Sequence, residues 1–378
     1  MFKPAVICAF VRSPFTPAFK GELARTRPDD LLSQLIKGLL DKVFITTEKY
    51  NDIEDILIGC AFPEGEQGLN IARQAALLAG LPVSVGGATI NRFCGSSMEA
   101  IQIAAAKIAY GAGDLFIVGG VESMSRVPMG GFNPAPSPEL YSAMPSAYMS
   151  MGLTAEQVAK KLAISRQEQE DFALNSHKKA AQANFADEIV GINTKAGIVI
   201  KDGCIRSDTT LESMAGLKPA FDISGTVTAA TSSPITDGAS AVLVASEEYA
   251  KKHNLPILAK IRSFATSGIA PEIMGLGPVE ATKKALKRAD LTTSDIDIIE
   301  LNEAFSAQAI GVIKELGLDA SKINLDGGAI ALGHPLGASG ARIVGKAAQL
   351  LTKHNKRYAL ATQCIGGGQG IAIVLEAS

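Results

Sequence analysis

The 378-residue chain contains no tryptophan, and aromatic residues make up only 5% of it. A surface that stacks nucleic-acid bases needs aromatic side chains, and a net charge of −2 supplies no basic patch for a phosphate backbone. These two scarcities argue against a nucleic-acid partner. No stretch reaches the roughly 18–20 apolar residues that a membrane-spanning helix requires, so the sequence predicts no transmembrane segment.

Cysteines are few and widely spaced, at Cys8, Cys60, Cys94, Cys204 and Cys364. An odd number without any CxxC pair argues against a disulfide framework and a zinc site, and it favours a reducing compartment. The apolar run near the N-terminus is short, is followed at once by arginine and has no small-residue cleavage site. We therefore interpret that run as a first strand, and we expect a cytoplasmic protein without a metal site.

Strand and helix patterns alternate along residues 1–120 and again along residues 251–378. Such alternation predicts an α/β protein in which helices cover a mostly parallel sheet. Between them, residues 121–221 form an excursion out of the sheet, and about residues 222–250 complete the first half. Two capping boxes, beginning at Thr154 and Ser165, predict two helices within this excursion.

The two halves resemble each other. Residues 295–305 align without gaps on residues 52–62, and both segments end in Ala-Phe. About thirty residues later each half has a glycine-rich turn before an apolar helix, with Cys94 in the first turn and His334 in the second. We interpret the pattern as one duplication, the alternative being a chance similarity between α/β units. A duplication allows the two turns to face each other across a pseudo-twofold axis.

Cys94 is a candidate nucleophile. It lies in the segment NRFCGSS (residues 91–97), between a short strand and an apolar helix. The partial positive charge of a helix N-terminus favours the thiolate, which is the nucleophilic form of cysteine. The alternative is a structural cysteine, because free cysteine is among the residue types most often buried.

His334 lies between glycine and proline in the run GGAIALGHPLGASG (residues 327–340), where small neighbours leave room for a ligand. The alternative is a turn histidine that is hydrogen-bonded locally. The other histidines, His177, His253 and His354, lie among polar residues and are predicted to be on the surface. Cys364 ends a buried strand and precedes the run GGGQG at 366–370; only eight residues follow that run, so no dinucleotide-binding unit fits there.

Two cysteines and one histidine suit a particular reaction. A thioester exchange needs one nucleophile and one base, whereas a carbon–carbon Claisen step also needs a group that moves a proton at the α-carbon. A thiol can pass a proton in either direction. A plain Cys–His hydrolase has no use for the second cysteine.

Four segments resemble the signature blocks of the thiolase family: residues 91–97, NEAF (302–305), residues 327–340 and CIGGGQG (364–370). The resemblance covers essentially the whole chain. It implies a five-layer α-β-α-β-α fold made of two duplicated mixed-sheet halves, with residues 121–221 as an inserted CoA-binding loop domain. It also implies an acyltransferase that cleaves 3-ketoacyl-CoA with CoA to acyl-CoA and acetyl-CoA in fatty-acid β-oxidation, or runs the reverse condensation.

The resemblance further implies roles for five residues at the reaction centre. Cys94 would attack the 3-ketoacyl-CoA thioester and take its acyl group, His334 would activate Cys94, and Cys364 would move the proton of the acetyl carbon. Asn302 would hold a water that binds the thioester oxygen together with His334. The backbone N–H groups of Cys94 and Gly366 would form the other oxyanion hole.

Family positions that line the CoA site correspond to Met151, Arg206, Ser213, Leu217 and Ser233, for which ordinary loop packing is the alternative. CoA is expected as a substrate, with no permanently bound cofactor. Thiolases are typically dimers or dimers of dimers, so the resemblance implies a homodimer or homotetramer. Residues 67–73 are similar to the thiolase subunit of bacterial β-oxidation complexes, which adds a multienzyme partner to the expectation.

Three alternatives remain open from the sequence. Biosynthetic acetoacetyl-CoA thiolases often have histidine where this chain has Ser150 and asparagine where it has Thr231, so the degradative interpretation is favoured. A decarboxylating ketoacyl synthase would have histidine or asparagine in place of Cys364. A non-catalytic acyl-CoA or lipid carrier would commonly lack the nucleophile or the histidine.

Overall fold

The computed structural model of the chain describes residues 3–43 and 45–378. Buried aliphatic runs form its strands, and amphipathic segments form the helices between them. The elements of the first 123 residues are β1 (Ala5–Arg12), β2 (Thr16–Pro17), α1 (Pro28–Lys42), β3 (Asp55–Gly59), α2 (Ile71–Leu78), β4 (Gly86–Ile90), α3 (Ser96–Ala109) and β5 (Leu115–Ser123). The central part contains α4 (Pro138–Ala143), α5 (Met151–Lys161), α6 (Arg166–Gln182), β6 (Ile192–Thr194), β7 (Gly197–Val199) and α7 (Leu211–Ala215).

The chain then returns to the sheet. The remaining elements are β8 (Thr236–Ser246), α8 (Glu247–Lys252), β9 (Ala259–Gly268), α9 (Gly277–Ala289), β10 (Ile298–Leu301), α10 (Ser306–Leu316), α11 (Ala329–Leu332), α12 (Leu336–His354), β11 (Tyr358–Ile365) and β12 (Gln369–Glu376). Short 3₁₀ helices join some of them, at Thr47–Asp52, Gly65–Gln67, Pro145–Tyr148, Ala229–Thr231, Pro271–Leu276, Thr293–Asp295 and Ala320–Lys322.

Strand order repeats between the halves. It is β4-β3-β5-β8-β1 in the first half and β10-β11-β12-β9 in the second, and β1 pairs with β9 where the halves meet. In each half the first pair of corresponding strands is parallel, namely β3–β5 and β10–β11. The pairs that follow are antiparallel: β5–β8 and β8–β1 in the first half, and β11–β12 and β12–β9 in the second. In the second half, the position that corresponds to β4 has only a single parallel bridge, between Ile323 and Ile299. The sheet is therefore mixed, and the repeated order supports the predicted duplication.

Alternating side chains of each strand divide the core into layers. Leu57 in β3 packs with α3 and α12 in an inner core. The inner faces of β11 and β12 belong to the same core. Its neighbours Ile56 and Ile58 face an outer core with α1 and α2. The outer face of the second half packs against α5, α9 and α10. The order is helices, sheet, helices, sheet, helices, so the predicted five-layer fold is confirmed.

The inner helices approach each other closely. A Cβ at Gly340 in α12 would lie 2.4 Å from the backbone nitrogen of Met98 in α3. Glycine is needed there because a larger residue would push the helices apart. This contact lies near the beginnings of both helices and therefore brings the turns that precede them close together.

Several boundaries differ from the sequence-based expectations. β5 continues past its glycines to Ser123. The capping box predicted at Thr154 is wrong, because α5 begins at Met151 and the Thr154 hydroxyl donates to the Met151 carbonyl inside the helix. The box at Ser165 is confirmed. Across residues 3–43 and 45–378, no helix has the length and apolar character needed to cross a membrane.

Candidate active site

Cys94, His334 and Cys364 line one cavity of about 230 Å³. Cys94 lies between β4 and α3, His334 between α11 and α12, and Cys364 near the end of β11. All three side chains are almost fully buried. The two inner helices and one strand of the second half thus bring three distant positions of the chain into one small space.

The Cys94 turn has an unusual backbone. Phe93 adopts a φ of 42°, which is uncommon for a residue other than glycine. Asn91 Oδ1 accepts a hydrogen bond from the Phe93 N–H at 2.9 Å, and Ser96 Oγ donates to the Phe93 carbonyl at 2.5 Å. Gln363 of β11 donates its side-chain N–H to the Cys94 carbonyl. These bonds fix the turn that directs Cys94 into the cavity.

Burial raises the pKa of the Cys94 thiol to about 12, and the Glu122 carboxylate adds to the rise. The backbone N–H groups of Gly366 and of Cys94 itself contact the sulfur and act in the opposite direction. The N–H groups at this turn favour the thiolate, as expected from the sequence, but desolvation outweighs them in the enzyme without substrate. The same two donors are available to a negative charge that develops beside the sulfur.

The His334 turn requires glycine before the histidine. Gly333 has a φ of 103°, and a Cβ there would lie 2.6 Å from Thr236 Oγ1. His334 donates its backbone N–H to that oxygen at 3.1 Å. Its Nδ1 lies 2.5 Å from Ser339 Oγ, which donates to the Pro335 carbonyl at 3.2 Å. Because the hydroxyl proton is used toward Pro335, Nδ1 carries the ring proton and Nε2 is the basic nitrogen.

Asn302 Nδ2 lies 3.3 Å from His334 Nε2 and is placed to donate to it. Burial and the Arg342 guanidinium lower the pKa of His334 to about 3, so the imidazole is neutral near neutral pH. Asn302 Oδ1 is buried and has no hydrogen-bond partner among the described residues. A free buried acceptor beside a neutral imidazole suits an ordered water or a substrate atom.

Glu122 is a site residue that the sequence alone does not identify. Its buried carboxylate accepts hydrogen bonds from the backbone N–H groups of Ala61, Phe62 and Gly337 and from the Gln67 side chain. Gly337 belongs to the first turn of α12, so Glu122 of the first half fixes the His334 turn of the second. Conversely, Gln363 of the second half fixes the Cys94 turn of the first half through its hydrogen bond to the Cys94 carbonyl. The only sequence signal is a carboxylate within the apolar strand 115–123.

The predicted CoA residues lie in two cavities that adjoin. Met151 and Ser233 line the reaction cavity, whereas Arg206, Ser213 and Leu217 line a second cavity, also of about 230 Å³. The two cavities share two wall residues, Ser232 and Pro234. Asn302 and Gly366 line neither cavity, but Asn302 contacts His334 and the Gly366 N–H contacts the Cys94 sulfur.

His177 lies in the wall of the second cavity and is only 6% exposed, so its predicted surface position is wrong. The reason is that α6 packs against the second half, where the neighbouring Ser176 donates to Glu303 at 2.6 Å. Within residues 3–43 and 45–378, no group of three or more His, Cys, Asp or Glu side chains is arranged to hold a metal ion.

Two equivalent turns that present a thiol and an imidazole, with a second thiol beside them, define a site for thioester chemistry on a duplicated α/β fold. The thiolase N-terminal domain model matches residues 5–248, and the thiolase C-terminal domain model matches residues 255–377. The chain therefore belongs to the thiolase family, which makes it an acyltransferase.

Individual relatives agree with this assignment. The chain is 46% identical to the 3-ketoacyl-CoA thiolase of Bacillus subtilis (strain 168), over 99% of each protein. It is 50% identical to the 3-ketoacyl-CoA thiolase of Shewanella loihica, again over 99% of each. A crystal structure of the Bacillus anthracis acetyl-CoA acetyltransferase is similar with a TM-score of 0.91 at 36% identity, covering 100% of this chain and 99% of that one. The predicted family and fold are confirmed.

Proposed function

We propose that the protein is a degradative 3-ketoacyl-CoA thiolase, which uses CoA to cleave 3-ketoacyl-CoA into acetyl-CoA and a shortened acyl-CoA. The observation that carries the proposal is the single cavity lined by Cys94, His334 and Cys364. Relatives at 46% and 50% identity bear the name of this enzyme. A ketoacyl synthase or a carrier protein would not need both cysteines and the histidine in one cavity.

The first half of the reaction transfers the acyl group. Cys94 gives its proton to His334 Nε2. Its sulfur bonds to the 3-keto carbon and not to the thioester carbonyl that we expected from the sequence, because the bond that must break joins C2 and C3. The oxygen of that carbon receives hydrogen bonds from the N–H groups of Cys94 and Gly366. The C2–C3 bond then breaks, which leaves the acyl group on Cys94 and an acetyl-CoA carbanion that Cys364 protonates.

The second half of the reaction returns Cys94 to its starting form. Protonated His334 passes its proton to the Cys364 thiolate. Its freed Nε2 then takes the proton of an incoming CoA thiol, and the CoA sulfur attacks the acyl group on Cys94. Acyl-CoA leaves, and Cys94 regains its proton from His334. Once His334 Nε2 carries the proton from Cys94, it donates to the thioester oxygen of the substrate. A water that donates to the free Asn302 Oδ1 supplies the second hydrogen bond to that oxygen.

The inserted segment at residues 121–221 binds CoA in this proposal. Arg206, Ser213 and Leu217 take the nucleotide end in the second cavity, and Met151 and Ser233 flank the thiol end in the reaction cavity. CoA is a substrate, and the reaction needs no permanently bound cofactor. The two cavities share wall residues, which supports one ligand extending through both.

Four methionines line the reaction cavity: Met124, Met129, Met151 and Met274. Methionine side chains are unbranched and adjust to ligands of different shape. This wall supports acyl chains of several lengths over acetoacetyl-CoA alone. The acetyl-CoA acetyltransferase name of the 36% identical structure keeps the biosynthetic enzyme as the second candidate.

The same assignment supports a proposal for assembly and location. The protein forms a homodimer or homotetramer, with a further β-oxidation subunit as a partner, and it works in the cytoplasm. All five cysteines are free thiols, which suits a reducing compartment. Light scattering of the purified chain gives the number of subunits.

Steady-state cleavage of 3-ketoacyl-CoA substrates tests the proposal. We expect CoA-dependent release of acetyl-CoA, with kcat/KM higher for longer 3-ketoacyl chains than for acetoacetyl-CoA. A clear preference for acetoacetyl-CoA would favour the biosynthetic enzyme. No CoA-dependent cleavage of any chain length would reject both.

A further inference from the structure

Two oppositely charged side chains are buried between β10 and α12. Arg342 of α12 donates through Nη1 to Glu300 Oε2 of β10 at 2.8 Å, and neither side chain is more than 2% exposed. Each is the only ion-pair partner of the other among residues 3–43 and 45–378. Neither residue lines the reaction cavity or the second cavity, so the pair lies outside the space that the substrate can occupy.

Stability does not explain this ion pair. Burial raises the pKa of Glu300 to about 7, although the Arg342 charge acts against the rise. Glu300 Oε1 and Arg342 Nη2 have no hydrogen-bond partner in the described part of the chain. A buried pair of this kind is often no more stabilising than apolar residues of similar volume. It differs from apolar packing in having a direction, so it can fix the relative position of the strand and the helix that carry it.

The first half packs the equivalent position without a charge. In the alignment of the two halves, Glu300 corresponds to Leu57. Leu57 of β3 packs in the inner core with α3 and α12, so the fold itself does not require an ion pair between strand and helix at this place. The second half differs in that Asn302, two residues after Glu300, contacts His334.

Glu300 and Asn302 face the same helix. Side chains of a strand alternate between its two faces, and Ile298 of β10 belongs to the inner core whereas Ile299 belongs to the outer core. The Asn302 N–H still donates to the Thr362 carbonyl of β11, as a continuing strand would. Glu300 and Asn302 therefore both lie on the inner face, toward α12.

The partners of these two residues share one face of α12. Arg342 and Ser339 are three residues apart, and Ser339 Oγ lies 2.5 Å from His334 Nδ1, so the imidazole lies over that face. The Asn302–His334 contact joins β10 to the start of α12. The Glu300–Arg342 pair joins the same two elements about one helical turn further on.

The Asn302–His334 contact is sensitive to the position of α12 along β10. Its length of 3.3 Å is at the long end for a hydrogen bond, so a small slide of the strand along the helix would break it. His334 is fixed to the first half through Glu122, which accepts from the first turn of α12. The buried ion pair therefore decides where Asn302 lies relative to the imidazole.

We propose that Glu300 and Arg342 are positioning residues, whose ion pair holds Asn302 at hydrogen-bonding distance from His334. The inference rests on the proposed function, because it takes Asn302 and His334 as the groups that act on the thioester oxygen of 3-ketoacyl-CoA. Without the pair, Asn302 and the water that donates to its Oδ1 would shift away from that oxygen, while the two thiols and the cavity would stay in place.

Replacing both charges at once tests the proposal without leaving a buried charge unpaired. Glu300→Leu introduces the residue of the first half, and Arg342→Met fills most of the arginine volume with an unbranched apolar chain. We expect the Tm of this double variant to stay close to wild type, because such replacements are often neutral. Its kcat should fall about 10- to 100-fold, the usual cost of a misplaced catalytic group. Its KM for CoA should stay within about twofold of wild type, because neither residue lines a substrate cavity.

The equivalent elements of the first half offer a matched control. Lys107 of α3 and Asp55 of β3 form a helix–strand ion pair at 2.7 Å, near the end of α3 that is distant from Cys94. Asp55→Leu combined with Lys107→Met should leave kcat close to wild type. A similar fall of kcat in this control would show that loss of any helix–strand ion pair is sufficient, and it would overturn the inference.

A double-mutant cycle separates positioning of Asn302 from a general effect on the fold. In an Asn302→Ala background the contact is already lost, so replacement of Glu300 and Arg342 should lower kcat by less than about threefold. Glu300→Gln keeps the shape of the side chain and weakens the pair; measured in the same two backgrounds, it should show the same pattern with a smaller fall, even if the double variant does not fold.

Three results would overturn the inference: an equal loss of kcat in both backgrounds, a wild-type kcat in the folded double variant, or a parallel loss of Tm and kcat, which would assign the pair to stability alone. Failure of the proposed function is a separate result, namely a wild-type protein that cleaves no 3-ketoacyl-CoA.

Discussion

The turn of the first half and the turn of the second place different reactive groups by the same means. In each, a residue with positive φ precedes the reactive side chain: Phe93, with φ of 42°, before Cys94 and Gly333, with φ of 103°, before His334. In each, an inner helix begins directly afterwards. The duplicated fold thus supplies position, and the residue at the turn supplies chemistry.

The turns differ in what fixes them from the opposite half. A neutral amide, Gln363, donates one bond to the Cys94 carbonyl, whereas a carboxylate, Glu122, accepts several N–H bonds that include that of Gly337. The titrating groups also shift in opposite directions, because burial raises the pKa of the thiol and lowers that of the imidazole. Both groups are therefore neutral before substrate binds, and the proton must move during the reaction.

The largest effect is expected from the first turn itself. Cys94→Ser keeps the size and hydrogen-bonding of the side chain but replaces the nucleophile with a far weaker one, so kcat should fall at least about 10⁴-fold. Cys8→Ser is the control, because Cys8 packs in the outer core away from the cavity. A Cys94→Ser enzyme that keeps more than a few per cent of kcat would contradict the assigned nucleophile.

Cys364→Ala removes the second thiol and separates the two proton roles. Overall cleavage should fall about 10²–10⁴-fold, the usual contribution of a positioned acid or base. Transfer of an acyl group from acyl-CoA to Cys94 should survive, because that step uses only the first turn and His334. Exchange of labelled CoA into acyl-CoA measures the surviving step, and its loss in parallel with cleavage would remove the distinction between the two cysteines.

Glu122→Gln weakens the hydrogen bonds through which Glu122 of the first half fixes the His334 turn of the second half. A glutamine presents one oxygen and an NH₂ group to a set of N–H donors, so at least one buried donor loses its acceptor at a cost of about 1–3 kcal/mol. Urea unfolding should show this loss of stability, together with a lower kcat from a displaced His334 turn. Asp114→Asn, which affects a half-exposed ion pair with Lys3, should change stability by at most about 1 kcal/mol. Unchanged stability in Glu122→Gln would show that the carboxylate does not fix the turn.

The smallest effect concerns pH. A raised thiol pKa means that the thiolate fraction of Cys94 increases about tenfold for each pH unit up to about pH 12. Alkylation of substrate-free enzyme by iodoacetamide should therefore accelerate steadily between pH 6 and pH 9. An early plateau at acidic pH would indicate a preformed thiolate–imidazolium pair, and the two turns would then not both be neutral.

Local patterns made much of this molecule predictable. The turns at Cys94 and His334 could be recognised because small residues between a strand and an apolar helix form a signal within one segment. The repeat could be recognised because residues 52–62 and 295–305 share a pattern. The five layers followed from the family resemblance carried by these segments.

Contacts between distant segments could not be predicted. Glu122 and Gln363 act across the interface of the halves, so their partners depend on how the halves pack. The thiol pKa depends on burial, which outweighs the local helix effect that the sequence displays. His177 looked exposed because its neighbours in α6 are polar, yet the packing of that helix against Glu303 buries it.

Mass spectrometry of the acyl-enzyme tests the central claim most directly, namely that the two turns and Cys364 act as one acyl-transfer site. Wild-type enzyme incubated with 3-ketoacyl-CoA and no free CoA should carry the shortened acyl group on the peptide that contains Cys94. Added CoA should remove the group within one turnover. An acyl group on Cys364 instead, or an unmodified Cys94 in an enzyme that still releases acetyl-CoA, would contradict the account.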